Sequence, residues 1–285
     1  MTGGFARIPL MAGTEQSLNF RDPQGHSVSA VLVTPEKGTD RLVLLCHGFL
    51  SNKNSTTNRT LTTRLVDEGI ATFRFDFFGQ GGSEGPFERI TLTAAVQQTL
   101  TALELVRTKG YTRIGLVGSS FGGLAAILAA SRSASSGHDL SVVALKCPVP
   151  DFPEMLRREF GEAGMERWKK DHEIPDVTGG STPVRLRFAF YEDCLAYDAY
   201  KAAEQIQAPV LIVQGDRDEY VPLDQSRRLY DALKGRKRLD VLPGADHSFT
   251  KPEDFRRMTT LIADWMIEHL PSTQRQDDAG NRTPA

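Results

Sequence analysis

Six short apolar runs, separated by helical patterns, are the feature that most constrains the fold of this 285-residue chain. The runs cover residues 42–46, 71–75, 113–117, 142–146, 210–214 and 238–242. Each is a short, nearly continuous apolar run, as expected for parallel strands covered on both faces. Helical patterns cover residues 91–109, 121–131, 224–233 and 252–270. This alternation predicts an α/β fold, with a mostly parallel central sheet and helices on both faces.

The same patterns divide the chain into parts. Up to about residue 33, short apolar segments alternate with turn residues, which predicts an antiparallel hairpin. The stretch 148–207 contains no convincing strand but many aromatic residues, so we expect a cap or lid inserted after the strand 142–146, the sixth strand when the two strands of the hairpin are counted. The predicted parts are therefore the N-terminal part of the core (1–147), the cap insertion (148–207), the C-terminal part of the core (208–270) and a disordered tail (271–285).

Charge and cysteine content exclude several classes of partner. Because 34 basic and 36 acidic residues leave a formal net charge of −2, nothing favours nucleic acid or an anionic membrane. No apolar run approaches the roughly 20 residues of a membrane span, and the first residues lack the apolar segment of a signal peptide. The cysteines Cys46, Cys147 and Cys194 cannot all pair and match no metal motif, so we expect a reduced, cytoplasmic protein. The oligomeric state stays open, with a homodimer among the alternatives.

Two segments match Gly-x-Ser-x-Gly, and their surroundings distinguish them. Residues 81–85 lie in a glycine-rich loop that no helix follows, so Ser83 is interpreted as a loop residue. Residues 118–122 join a predicted strand directly to a predicted helix, which is the setting of a nucleophile elbow. A phosphate-binding turn is disfavoured because neither Gly-x-Gly-x-x-Gly nor Walker spacing is present. Ser120 is therefore the predicted nucleophile.

A serine nucleophile needs a base and an acid that orients it. Of the six histidines, His247 follows the last predicted strand, in a loop expected at the carboxyl edge of the sheet. Asp216 and Asp218 follow the preceding strand, and Gly-x-x-Asp-x-x-Val-Pro favours Asp218 as the acid, with Asp216 as a turn residue. Ser120 is expected to attack, His247 to carry its proton, and Asp218 to orient the imidazole.

An oxyanion hole is expected from two backbone N–H groups. One belongs to Phe121, the residue after the predicted nucleophile. For the other we choose Phe49, in the loop after the strand 42–46. His47 in this loop is interpreted as a structural residue and not as the base.

Together these segments resemble the α/β-hydrolase superfamily. The segments are Cys-His-Gly-Phe (46–49), Asp-Phe-Phe-Gly-Gln-Gly-Gly-Ser (76–83), Gly-Ser-Ser-Phe-Gly-Gly (118–123), Gly-x-x-Asp-x-x-Val-Pro (215–222) and Gly-x-x-His (244–247). The resemblance runs from about residue 28 to residue 270 and implies the α/β-hydrolase fold. We expect no cofactor and no metal.

Within the superfamily, the His-Gly-Phe loop and the position of the cap are similar to bacterial cinnamoyl (feruloyl) esterases and related carboxylesterases. That resemblance implies hydrolysis of a small-molecule ester through an acyl-enzyme, with cap residues shaping the acyl pocket. Phe152, Trp168 and Tyr191 are candidate pocket residues, although filling the core of the cap is the more frequent role of such aromatic residues. The alternatives are a thioesterase, an acyl-peptide or amide hydrolase with the same triad, and a non-catalytic binding protein of the same fold.

Overall fold

A large central sheet organises residues 13–177 and 183–272, which the computed structural model describes. The strands are β1 (Gly13–Arg21), β2 (Ser27–Pro35), β3 (Arg41–Cys46), β4 (Ala71–Phe75), β5 (Arg113–Ser119), β6 (Val142–Lys146), β7 (Glu173–Ile174), β8 (Leu186–Arg187), β9 (Val210–Gly215) and β10 (Lys237–Leu242). Eight of them form one sheet in the order β1-β2-β4-β3-β5-β6-β9-β10. The pairs β1–β2 and β2–β4 are antiparallel, and the other neighbouring pairs are parallel. The predicted mostly parallel sheet is confirmed.

Helices cover both faces of the sheet, as predicted. They are α1 (Thr56–Asp67), α2 (Leu92–Thr108), α3 (Phe121–Ser135), α4 (Phe152–Asp171), α5 (Ala189–Cys194), α6 (Ala199–Ala203), α7 (Leu223–Ala232) and α8 (Pro252–His269). Alternate side chains of a strand point to opposite faces. Leu42, Leu44 and Cys46 of β3 accordingly join the core under α2 and α3, whereas Val43 and Leu45 join the core under α1 and α8. Burial on both faces explains why this strand is wholly apolar after Arg41.

Helix α1 has no counterpart among the predicted helices. Its sequence contains five threonines, whose β-branched side chains weaken the helical signal. Leu61 and Leu65 lie one turn apart and are fully buried in the core shared with α8. The hydroxyl of Ser55 accepts a hydrogen bond from the N–H of Asn58 at 3.3 Å and caps the helix. Tertiary burial and this cap therefore outweigh the weak local propensity.

The insertion between β6 and β9 is mainly helical. Helices α4, α5 and α6 lie in it, and β7 and β8 form a short antiparallel pair that the sequence pattern does not predict. The backbone of α4 is interrupted at Gly161, whose φ is +62°. The predicted tail lies outside the described residues, apart from residues 271 and 272. None of the described helices is both long and apolar enough to cross a membrane.

Truncation of a core side chain in β3 tests the importance of the two-sided burial. Leu44 is fully buried, so we expect Leu44→Ala to lower the free energy of unfolding by about 2–5 kcal/mol through lost contacts and a cavity. The measurement is urea unfolding followed by circular dichroism. Leu195→Ala is the matched control, because the same truncation at a side chain 55% exposed should change stability by less than about 0.5 kcal/mol. Equal losses in the two variants would contradict the prediction.

Candidate active site

The turn between β5 and α3 holds Ser120 in a strained backbone conformation. Its φ is +52° and its ψ is −116°, a region that residues with a side chain rarely occupy. The N–H of Ser120 donates to the carbonyl of Lys146, at the end of the neighbouring strand β6, at 2.8 Å. The turn therefore lies at the carboxyl edge of the parallel strands, as the nucleophile-elbow interpretation requires.

Two glycines permit the tight packing of this turn. A Cβ atom on Gly122 would lie 2.3 Å from the carbonyl oxygen of His47 and 2.6 Å from that of Cys46. A Cβ atom on Gly118 would lie 2.4 Å from the carbonyl oxygen of Gly122. No side chain fits at either position without moving the backbone. The start of α3 can therefore lie directly against the loop that follows β3.

Ser120, His247 and Asp218 form one continuous series of hydrogen bonds. Ser120 Oγ lies 3.1 Å from His247 Nε2, and His247 Nδ1 lies 2.8 Å from Asp218 Oδ2. Each of the three residues follows a different strand: β5, β10 and β9. With Nδ1–H donating to the carboxylate, Nε2 is left to accept the proton of the serine hydroxyl. The structure thus brings together the three side chains that the sequence analysis selected.

Asp218 is itself oriented by several donors. Its Oδ1 accepts the backbone N–H groups of Val221 at 2.8 Å and Tyr220 at 3.1 Å. Its Oδ2 accepts the side-chain amide of Gln214 at 2.9 Å. Gln214 is held in turn by the hydroxyl of Ser226, which donates to its Oε1 at 2.7 Å. Sequence reasoning missed Gln214, although a polar residue that ends the apolar run 210–214 is a usable signal.

The two backbone N–H groups chosen for the oxyanion hole are not used elsewhere. Within residues 13–177 and 183–272, no hydrogen-bond acceptor is found for the N–H of Phe49 or of Phe121. Phe121 is the first residue of α3, where backbone N–H groups are unsatisfied and the helix dipole is positive. A Cβ atom on Gly48, the residue before Phe49, would lie 3.5 Å from the Cβ of Ser120. Both groups are therefore available beside Ser120.

His47 is buried beneath the loop that follows β3. One of its ring nitrogens, Nδ1, lies 2.7 Å from the carbonyl of Gly48, and the other, Nε2, accepts the N–H of Phe77 at 3.1 Å. Burial lowers the pKa of His47 to about 4. The ring is therefore neutral at physiological pH and joins the loop after β3 to the end of β4. This geometry supports the interpretation of His47 as a structural residue.

The candidate pocket residues do not form one group. Phe152 is buried, and its ring centroid lies 5.6 Å from that of Phe49 and 5.7 Å from that of Phe121. Trp168 is also buried, and its indole N–H donates to the carbonyl of Leu186 at 3.0 Å, inside the insertion. Tyr191 packs against Trp168 at 6.2 Å and borders a cavity of about 500 Å³ in the insertion. Only Phe152 therefore contacts the residues beside Ser120.

Phe190 joins Phe152 in this aromatic cluster, and sequence reasoning missed it. Its ring centroid lies 5.3 Å from Phe49 and 5.2 Å from Phe152. The four rings of Phe49, Phe121, Phe152 and Phe190 are called the aromatic cluster below. Phe49 is its partly exposed member, whereas the other three are buried. The aromatic-rich composition of residues 148–207 was the available signal, but it could not select Phe190 among the other rings.

One group of ligand-type atoms lies within the same site. The metal-ligand atoms of Cys147, Asp218 and His247 lie within 4.8 Å of one another. A cysteine binds metal as a thiolate, but burial raises the pKa of the Cys147 thiol to about 12. Asp218 and His247 already bind each other. The chemistry of this set therefore does not favour a metal at neutral pH.

Backbone strain is concentrated around the site. Among the described residues, five non-glycine residues have positive φ, and four of them are Leu50, Ser120, Cys147 and Phe249. These four follow the carboxyl ends of β3, β5, β6 and β10, respectively. Such conformations cost about 1–3 kcal/mol each and persist where the surrounding packing enforces them, often at functional sites. The strain therefore points to the same edge of the sheet as the side-chain geometry.

Comparison with known proteins identifies the class. A sequence profile of the alpha/beta hydrolase family matches residues 43–258, so this chain belongs to that family. The chain is similar to an uncharacterised 31.7 kDa protein from the traX-finO intergenic region of Escherichia coli, at 25% identity over 89% of this chain and 96% of the relative. It is also similar to the uncharacterised protein YqkD of Bacillus subtilis, at 27% identity over 82% of this chain and 74% of the relative.

Solved esterase structures share the fold. Est1E from Butyrivibrio proteoclasticus, solved with ferulic acid bound, superposes with a TM-score of 0.76 at 24% identity, covering 88% of this chain and 98% of that structure. The Pyrococcus furiosus esterase PF2001 superposes with a TM-score of 0.67 at 18% identity, covering 91% and 92% of the two chains. The predicted resemblance in fold to feruloyl esterases is confirmed.

The buried His47 makes stability depend on pH. In the unfolded chain a histidine has a pKa near 6.5, whereas the pKa of folded His47 is about 4. Between these two pH values, His47 is protonated in the unfolded chain but not in the folded protein. His47 therefore contributes to a loss of stability as pH falls from about 6.5 to 4, on the order of 3 kcal/mol in total. Chemical unfolding of the parent and of His47→Gln across this range should show a weaker pH dependence in the variant, and identical slopes would contradict the prediction.

Proposed function

We propose that this protein is a carboxylic ester hydrolase that works through an acyl-enzyme on Ser120. The observation that carries the proposal is the series of hydrogen bonds from Ser120 Oγ through His247 to Asp218. In this proposal Ser120 is the nucleophile, His247 the general base and Asp218 the acid that orients the imidazole. Membership of the alpha/beta hydrolase family and the similarity in fold to solved esterases support it.

In the first half of the reaction, Ser120 Oγ attacks the carbonyl carbon of the ester while His247 Nε2 takes the hydroxyl proton. The carbonyl oxygen becomes an oxyanion that accepts hydrogen bonds from the N–H groups of Phe49 and Phe121. Collapse of this tetrahedral intermediate breaks the bond to the alcohol oxygen. His247 returns the proton to that oxygen, the alcohol leaves, and the acyl group stays on Ser120.

In the second half, water attacks the acyl-enzyme and gives a proton to His247 Nε2. The second tetrahedral intermediate uses the same two N–H groups and collapses with release of the carboxylic acid. The proton passes from His247 back to Ser120 Oγ, which restores the starting state. Throughout both halves the Asp218 carboxylate stabilises the positive charge that forms on the imidazole.

We further propose that the acyl group is aromatic, of the feruloyl or cinnamoyl type. Phe49 is the partly exposed member of the aromatic cluster, and its ring centroid lies 5.5 Å from that of Phe121, the residue after Ser120, and 5.3 Å from that of Phe190. Planar acyl groups gain from offset or edge-to-face contact with such rings. The ferulic acid bound to Est1E, a protein of similar fold, supports the same substrate class.

Replacement of the nucleophile tests the mechanism. We expect Ser120→Ala to lower kcat for p-nitrophenyl esters on the order of 10⁶-fold, because the acyl-enzyme can no longer form. Ser119→Ala is the matched control: Ser119 is the adjacent buried serine, and its Oγ has no hydrogen-bond partner among the described residues. This control should retain activity, and its melting temperature and that of Ser120→Ala should stay near the parent value. Retained ester hydrolysis in Ser120→Ala would refute the proposed nucleophile.

A substrate series tests the acyl preference. Methyl ferulate and p-nitrophenyl esters from acetate to laurate are compared with acyl-CoA and aminoacyl anilide substrates. Phe49→Leu keeps the backbone N–H and an apolar side chain but removes the ring, so we expect KM for ferulate to rise about threefold to tenfold while KM for acetate changes little. An equal effect on both esters would contradict the aromatic acyl site. If an acyl-CoA or an anilide showed the highest turnover, the protein would be assigned as a thioesterase or an amide hydrolase instead of an ester hydrolase.

A further inference from the structure

Among the described residues, Lys146, the last residue of β6, is a buried cation that forms no direct ion pair with a carboxylate. It ends a strand of otherwise apolar side chains, and only 8% of the residue is exposed. Among residues 13–177 and 183–272, no carboxylate oxygen lies within 4.0 Å of its Nζ. A buried ammonium is costly unless its hydrogen bonds are made, so an apolar residue would be expected at this position.

The hydrogen bonds of Lys146 join two parts of the site. Its side-chain Nζ donates to the backbone carbonyl of His247 at 2.9 Å. Its own backbone carbonyl accepts the N–H of Ser120 at 2.8 Å. The ammonium also lies 5.3 Å from the ring centroid of Phe249, within the range of a cation–π interaction. One residue therefore contacts both the strained turn of Ser120 and the loop that carries His247.

The segments on both sides of this contact are strained. Cys147, directly after Lys146, has a φ of +41°, and Phe249, two residues after His247, has a φ of +54°. Another contact of the His247 backbone, from its N–H to Glu219 Oε2 at 3.2 Å, is with an exposed carboxylate. Exposed contacts of this kind are weak. Of these two contacts of the His247 backbone, the part-buried hydrogen bond from Lys146 is therefore the stronger.

We propose that Lys146 is a positioning residue, which holds the loop of His247 at the distance from Ser120 that proton transfer requires. Its catalytic consequence rests on the proposed function, whereas its structural consequence does not. A displacement of about 1 Å between reacting groups can cost on the order of 10²-fold in rate. The loss should fall on kcat, because Lys146 touches neither Ser120 Oγ nor the aromatic cluster.

The kinetic test compares Lys146→Met with Lys146→Arg. Methionine keeps a flexible apolar chain over Phe249 but has no N–H donor, so we expect kcat for p-nitrophenyl acetate to fall tenfold or more while KM stays within about twofold. Arginine can still donate to the His247 carbonyl and should restore most of the activity. Lys251→Met is the matched control, because Lys251 is an exposed lysine after the same loop, and it should retain the parent kcat.

A spectroscopic test works without any substrate. In the parent, the His247 Nδ1 proton bonded to Asp218 should give a downfield ¹H NMR resonance, assigned by its loss in Asp218→Asn. We expect Lys146→Met to broaden or remove this resonance through faster exchange, with a melting temperature near that of the parent, and Lys251→Met to keep it. This result would support the proposal even in a protein that hydrolyses no ester, in which case only the proposed function would fail. An unchanged resonance together with an unchanged kcat in Lys146→Met would overturn the proposed positioning role of Lys146.

Discussion

The close contact between Gly122 and the carbonyl groups of Cys46 and His47 is the constraint on which the candidate site depends. Gly122 has no Cβ atom, and none would fit there, so the first turn of α3 can lie directly against the loop after β3. The same contact brings the start of α3, with the N–H of Phe121, against the loop that carries the N–H of Phe49. The proposed oxyanion hole therefore follows from backbone packing, and polar side chains are not needed to build it.

The surrounding sheet makes this arrangement stable. Strained residues such as Ser120 and Cys147 follow β5 and β6, which are buried on both faces, so the rigid core can enforce conformations that a mobile loop would relax. Polar side chains add further support at the candidate site. Gln214 holds Asp218, and Lys146 holds the loop of His247. Both are polar residues at the ends of apolar strands, next to the carboxyl edge of the sheet.

Much of the fold could be predicted from local pattern. The six predicted strands agree with the observed ones to within two residues. Five of them are buried on both faces, which requires nearly continuous apolar runs, whereas the edge strand β10 is only partly buried. Helix α1 was missed because its threonines conceal a helix that Leu61 and Leu65 stabilise only after packing. In the insertion, apolar and aromatic residues fill a local core without a clear period, so neither the helices nor the separate positions of Phe152 and Trp168 could be predicted.

The sequence by itself determined the chemistry that the site can offer. Motif context selected Ser120 over Ser83, and chain order together with position after the strands selected Asp218 and His247. Only the tertiary structure decided their distances, the partner of each ring nitrogen, and which aromatic residues lie beside Ser120. The physical reason is that local pattern reports which side chains are buried and where strands end. The convergence of side chains up to 127 residues apart depends on how those strands and helices pack.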